Sequence, residues 1–247
     1  MAKRIRLQDG KRFQMGGGDS RRMVDPDVGA SLITLNYSIF QPGHEFPQHI
    51  HDVSADVFIV LEGGVSVRQG DAYTPIRVAD LAYIPSGEVH GTVNQTSAEA
   101  TLISFQVPPD TALYRGERDP SVTGDVPKPP AGHVSRVQIR TLASGRAACG
   151  EGYHVWTPVS PALGAPEMTL LYCELEPGAS LPLPPARRAE SVWFVWAGQV
   201  SLAAGGEILE LPERSAAFVP AGEGQMVTNT GAALARLIRC QSSAESA

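Results

Sequence analysis

The sequence predicts an all-β protein made of two copies of one domain, and three observations carry that expectation. Twenty-five glycines and twenty prolines cut the 247 residues into short pieces. Those pieces, such as "TLNYSIFQ", "GVSVRQ", "ATLISFQV" and "TLLYCELE", are rich in Val, Ile, Leu, Phe and Thr and alternate with the period of two that marks a strand. Long stretches with a 3.6-residue apolar period and caps are scarce, so the sheets are expected to close as a sandwich or barrel that hides their edges.

The third observation is an internal repeat. Pro42-Gly43 matches Pro177-Gly178, Gly63 matches Gly198, Pro85-x-Gly87 matches Pro220-x-Gly222 and Asn94 matches Asn229, each pair 135 positions apart. The apolar positions of "FIVLEGGVSV" and "WFVWAGQVSL" agree at the same offset without a gap. This gives an N-terminal extension over 1–29, a first domain over 30–107, a joint rich in Pro, Gly and charge over 108–136, and a second domain over 137–247. The segment "IRLQDGKRFQ" is assigned to neither repeat.

Composition bounds the function. A formal charge of -6, with Lys and Arg scattered, argues against nucleic acid and against a polybasic membrane patch. No apolar run reaches spanning length and no signal peptide is apparent, so a cytoplasmic protein is expected. Cys149, Cys173 and Cys240 form neither a metal-type pair nor an even set for disulfides. The expected partner is a small-molecule substrate. A homodimer is also expected, with the N-terminal segment pairing onto a partner's sheet edge.

Three of the six histidines fall within "HEFPQHIH" at the head of an apolar strand. On a strand, His49 and His51 would point to one face; Asp56 follows five residues later and His90 comes just after the Pro85-x-Gly87 turn. Three imidazoles and a carboxylate suit a divalent transition metal. The alternation from Asp56 places Phe58, Val60 and Glu62 on its face, and Tyr37 or Tyr83 could offer a hydroxyl. The second copy carries Pro184, Ala186, Ser191 and Gln225 at the corresponding positions, with Glu190 beside the acid position, so no metal is expected there.

The spacing Gly43, His49-x-His51, Asp56, Gly63 and then Pro85-x-Gly87-x-x-His90-x-x-x-Asn94 resembles the two signature motifs of the cupin superfamily. The tandem arrangement resembles a bicupin. The resemblance implies two jelly-roll-like barrels of the double-stranded β-helix type and one metal ion per chain (Fe, Mn, Ni or Zn), held by His49, His51, Asp56 and His90. Asp56 stands where the family has Glu and is shorter by one carbon, about 1.5 Å of reach, so it either ligates from a strand that moves in or orients a ligand from behind. Bicupins with one histidine-rich site resemble quercetinase- and gentisate-type dioxygenases, which makes O₂-using oxidation of a small organic molecule the leading expectation. The alternatives are an O₂-independent hydrolase, lyase or isomerase of the ureidoglycine aminohydrolase kind, a non-catalytic metal or ligand carrier, and a storage bicupin. Candidate acid or base groups are His44, Glu62 and Tyr83; candidate substrate-lining residues are Tyr37, Phe58 and Val60.

Overall fold

A computed structural model describes residues 1–243. Nearly all of its regular structure is strand, and the strands fall into two units, each with one seven-stranded and one four-stranded antiparallel sheet. One unit comprises Lys11–Arg22 and Leu35–Thr141; the other comprises Met1–Gly10, Met23–Thr34 and the chain from Leu142 onward.

In the first unit the large sheet runs in the order Gln138–Thr141, Asp80–Ile84, Ala55–Glu62, Ala100–Val107, Thr34–Phe40, Gly18–Val24 and Lys11–Met15. The small sheet runs Glu45–His49, His90–Val93, Gly64–Gln69 and Ala72–Arg77. Between the sheets lies an apolar core of Phe40, Phe58, Val60, Val65, Val67, Ile76, Ala82, Ile84 and Leu102. The strand "ATLISFQV" is buried along its whole length, with Leu102, Ile103, Phe105 and Val107 in apolar surroundings and the polar Thr101, Ser104 and Gln106 buried between them. Gly63 turns the chain between two of these strands at φ +69, and a Cβ there would lie 2.5 Å from the Glu99 carbonyl oxygen, so both conformation and space require glycine.

The second unit repeats this plan. Its large sheet runs Lys3–Ile5, Ala216–Val219, Ser191–Ala197, Ala235–Ser242, Met168–Leu175, Tyr153–Val159 and Arg146–Gly150. Its small sheet runs Ser180–Leu183, Gln225–Asn229, Gln199–Ala204 and Glu207–Pro212. The repeat reaches single hydrogen bonds. Asn94 Nδ2 donates to the carbonyls of Phe40 at 2.9 Å and Ala98 at 2.7 Å, while Asn229 Nδ2 donates to those of Leu175 and Ala233, both at 2.8 Å.

The N-terminal segment belongs to the repeat, contrary to the expectation that it stands outside. Lys11–Met15 and Gly18–Val24 form a hairpin that corresponds, at the 135-residue offset, to Arg146–Gly150 and Tyr153–Val159. The identities Gly10/Gly145, Gly17/Gly152, Pro26/Pro161 and Gly29/Gly164 mark this in the sequence. They are turn residues, while the strands between them have diverged. The outermost strands follow the same rule: Lys3–Ile5 pairs with Ala216–Val219, and Gln138–Thr141 pairs with Asp80–Ile84. The pairing that was expected to serve a partner chain is therefore used within this one.

The segment 108–136 is built onto the first unit. It forms two short helices, Thr111–Tyr114 and Pro120–Thr123, N-capped by Asp110 and Asp119. Its far end is fastened by Glu88, buried on the Pro85 turn, which accepts from Arg136 Nε at 2.6 Å and pairs with His133 Nε2 at 2.9 Å. Among the described residues, no helix is long and apolar enough to cross a membrane.

Candidate metal centre

His49 closes the strand Glu45–His49, His90 opens the strand His90–Val93, and the two are paired directly across the small sheet. His51 lies past the strand end, so it reaches the cluster from a loop and not by strand alternation. Asp56 sits near the start of Ala55–Glu62, paired to Ile84 on one side and to Gln106 on the other. All four residues are buried, and one donor atom from each lies within 4.8 Å of the others. Donors on opposite sides of an ion with bonds of about 2.1 Å stand about 4.2 Å apart, so each needs to move by only tenths of an ångström to close on a single cation.

The ring orientations follow from what the outer nitrogens touch. His49 Nδ1 lies 2.9 Å from the Pro47 carbonyl and His90 Nδ1 2.9 Å from the Glu88 carbonyl. A carbonyl only accepts, so each Nδ1 carries the proton and each Nε2 presents a lone pair. His51 Nδ1 donates to Asp110 Oδ2 at 2.9 Å, which fixes the orientation of the third ring. His51 Nε2 lies 3.1 Å and His90 Nε2 3.7 Å from Asp56 Oδ2. The shorter side chain at position 56 thus still brings its carboxylate to the imidazoles.

The electrostatics of the cluster favour positive charge at its carboxylates. Burial, reinforced by the neighbouring His90 and His51 rings, holds His49 well below its usual range. Burial also works against charge on His51, yet Asp56 and Asp110 prevail and push it up to about 9. Asp56 is driven down because the His51 charge and hydrogen bond outweigh its own burial. Asp110 is lowered to about 2 against its burial by His51, the Leu113 amide and Arg118. Two buried atoms of these residues, Asp56 Oδ1 and His90 Nε2, have no hydrogen-bond partner. Orphaned buried polar atoms cost about 1–3 kcal/mol each, a cost that a bound divalent transition metal would relieve, so the donor set fits such an ion.

The cluster opens on a cavity of about 310 Å³ lined by His49, His51 and Asp56. Its apolar walls include Phe46, Phe58, Leu102 and Leu113. Phe58, expected to line it, does so, whereas Val60 lies in the core behind it. Tyr37 and Tyr83 are buried in strands, and Glu62 is exposed at the end of its strand. His44 sits in the Gln41 turn, its Nδ1 accepting from the Gln41 amide at 3.3 Å. None of His44, Glu62, Tyr83, Tyr37 and Val60 lines the cavity.

Several contributors were not foreseen. Asp110 and Gln106 brace His51, with Gln106 Nε2 3.2 Å from its Nε2, and Arg118 Nη2 donates to Asp110 at 2.6 Å. Arg22 and Met15 reach the cavity from the N-terminal hairpin, Tyr114 and Val122 from the helices of the 108–136 segment. The hairpin had a signal in the upstream glycine identities.

At the corresponding place in the second unit the polar groups satisfy one another. Gln225 Oε1 accepts from Trp193 Nε1 at 2.7 Å and from Arg239 Nε at 3.3 Å, while its Nε2 donates to Ser191 Oγ at 2.9 Å. Arg239, lowered to about 10 by burial, also donates to Gln241. Glu190 is taken up by the Ser31 and Leu32 amides at 2.8–3.0 Å.

Comparison with known proteins agrees with this geometry. The cupin domain family matches residues 36–106. Polyketide synthase CurC of Streptomyces cyaneus is 29% identical over 114 residues, which cover 44% of this chain and 74% of that protein. Among solved structures, a Bacillus subtilis oxalate decarboxylase with one tryptophan replaced by tyrosine gives a TM-score of 0.77 at 16% identity, covering 97% of this chain and 77% of the other. The Lactobacillus farciminis oxalate decarboxylase formate complex gives 0.76 at 14% identity, with 97% and 86% covered. Likeness at such identities speaks for the fold. The cupin match is confined to residues 36–106, the segment that carries the histidine cluster, and the tandem pair of barrels is the fold that this chain shares with those structures.

Proposed function

We propose that the first barrel is the active site of a metal-dependent enzyme acting on a small organic molecule. The observation that carries this reading is the buried His49, His51, Asp56 and His90 cluster facing a largely apolar cavity. His49, His51, Asp56 and His90 would hold the ion; the chemistry it supplies when bound is Lewis acidity toward a substrate oxygen and, for a redox-active metal, a place for O₂. The protein's own residues do the rest. Phe46, Phe58 and Leu102 keep water from the site, Asp110 and the two carbonyls keep the imidazoles aimed, and Gln106, close to His51, can donate a hydrogen bond to an anionic oxygen.

Within that class we assign O₂-using dioxygenase chemistry as the first reading, since apolar walls around a histidine-rich centre suit an apolar co-substrate. A non-oxidative lyase is the second, favoured by the fold likeness to oxalate decarboxylases, among them the Mn(II)-containing Bacillus subtilis enzyme. Oxygen uptake separates them. Protein loaded in turn with Fe(II), Mn(II) and Ni(II) is given catechols, flavonols, diketones and oxalate in an oxygen electrode. Substrate-dependent uptake supports the first reading; product without uptake supports the second; no turnover with any metal sinks the enzyme assignment. A cytoplasmic homodimer is proposed alongside, to be checked by fractionation and light scattering.

A further inference from the structure

We propose that the first-barrel cavity takes a ring-sized organic carboxylate whose anionic group is held by Arg22; this deepens the substrate-site reading above and rests on it. At about 30 Å³ per water, 310 Å³ corresponds to roughly ten waters, the space of one ring with a few substituents. Phe46, Phe58, Leu102 and Leu113 supply apolar wall for the ring.

Arg22 lines this cavity from the strand Gly18–Val24, and its guanidinium carbon lies over two rings, 3.6 Å from the Tyr114 centroid and 4.8 Å from that of Phe13. Packing against two rings restrains the guanidinium before a ligand arrives, which lowers the ordering cost of binding a carboxylate. Arg115 and Asp119, also in the lining, make contacts of their own: Arg115 pairs with Glu117 at 2.6 Å, and Asp119 accepts from the Ser121 amide at 2.8 Å and hydroxyl at 2.6 Å. Asn36, also in the lining, donates through Nδ2 to Ser104 Oγ at 3.4 Å, while its Oδ1 is buried with no hydrogen-bond partner. That acceptor calls for a ligand donor, a hydroxyl or N–H, in addition to the carboxylate.

The test uses metal-loaded full-length protein and three probes, benzoate, 2-hydroxybenzoate and benzamide, titrated calorimetrically. Benzoate is expected to bind at least about tenfold more tightly than uncharged benzamide, and Arg22→Gln to weaken benzoate by about 10–100-fold while metal content and melting temperature stay as in wild type. Asn36→Leu should remove any advantage of 2-hydroxybenzoate over benzoate. Tyr114→Leu, which frees the guanidinium without touching its strand, should cost several-fold in benzoate affinity, a second measure if Arg22→Gln folds poorly. Equal binding of benzoate and benzamide, no binding of any probe, or a benzoate preference that survives Arg22→Gln would each overturn the proposal. All three can occur in protein with a full metal complement, whereas failure of the metal-site reading would appear as wild-type protein that retains no ion.

Discussion

Asp110 Oδ2 lies 2.9 Å from His51 Nδ1 across 59 residues of sequence, joining the helix-bearing segment after the first barrel to a member of its metal cluster. The carboxylate is 2% exposed and is held in turn by Arg118 Nη2 at 2.6 Å. A carboxylate behind a metal-ligating imidazole fixes the ring and raises its basicity, and losing it typically costs 10–100-fold in metal affinity. Asp110→Asn is therefore expected to weaken metal binding by about that factor, read by competition with a chromophoric chelator. The secondary structure should not change, because the amide still caps Thr111–Tyr114.

Glu88 governs how the same segment responds to acid. Its own burial works to raise its pKa, but Arg136, His133 and Gln69 outweigh this and leave it below the usual 4.5. A carboxylate lowered on folding contributes stability that is fully present above 4.5 and is lost as pH falls through the folded value. Melting temperature should drop with a steeper slope below pH 4.5 in wild type than in Glu88→Gln. At neutral pH the substitution should cost about 1–3 kcal/mol, the worth of charge-assisted hydrogen bonds, as measured by urea unfolding.

Gly91 follows His90 within the strand His90–Val93, which pairs with Glu45–His49. A Cβ there would lie 2.8 Å from the Phe46 carbonyl oxygen and 3.1 Å from the Gln48 amide nitrogen. These are backbone atoms and cannot swing aside, so Gly91→Ala must push Glu45–His49 away from His90. The expected outcome is a lower melting temperature together with weaker metal retention. Gly43→Ala, with nothing within 4 Å of the added carbon but a φ of +80, should lower stability alone.

What the sequence made legible is what short-range periodicity encodes. Strand alternation, turn glycines at a constant offset, and the spacing of His49, His51, Asp56 and His90 are local patterns, and they located the barrels and the cluster. Strand pairing, which brings His90 opposite His49, is non-local, but the repeated motif stood in for it. Asp110, Arg118 and Arg22 had no such pattern. Asp110 and Arg118 sit in a stretch whose Pro, Gly and charge have the composition of a linker, and only its two capped helical turns bring them onto the site. The hairpin over Lys11–Val24 was passed over because its strands share few identities with Arg146–Val159 beyond the turn glycines at the 135-residue offset.

The central claim is one cation in the first barrel and none in the second, where Gln225, Trp193, Arg239 and Ser191 satisfy one another. Elemental analysis of purified wild-type protein beside His49→Ala, His90→Ala and Gln225→Ala tests it most directly. One divalent transition-metal ion per chain in wild type and Gln225→Ala, falling to near zero in both histidine variants while they remain folded, is the predicted result. Metal that persists in both histidine variants, or that disappears with Gln225, would contradict it.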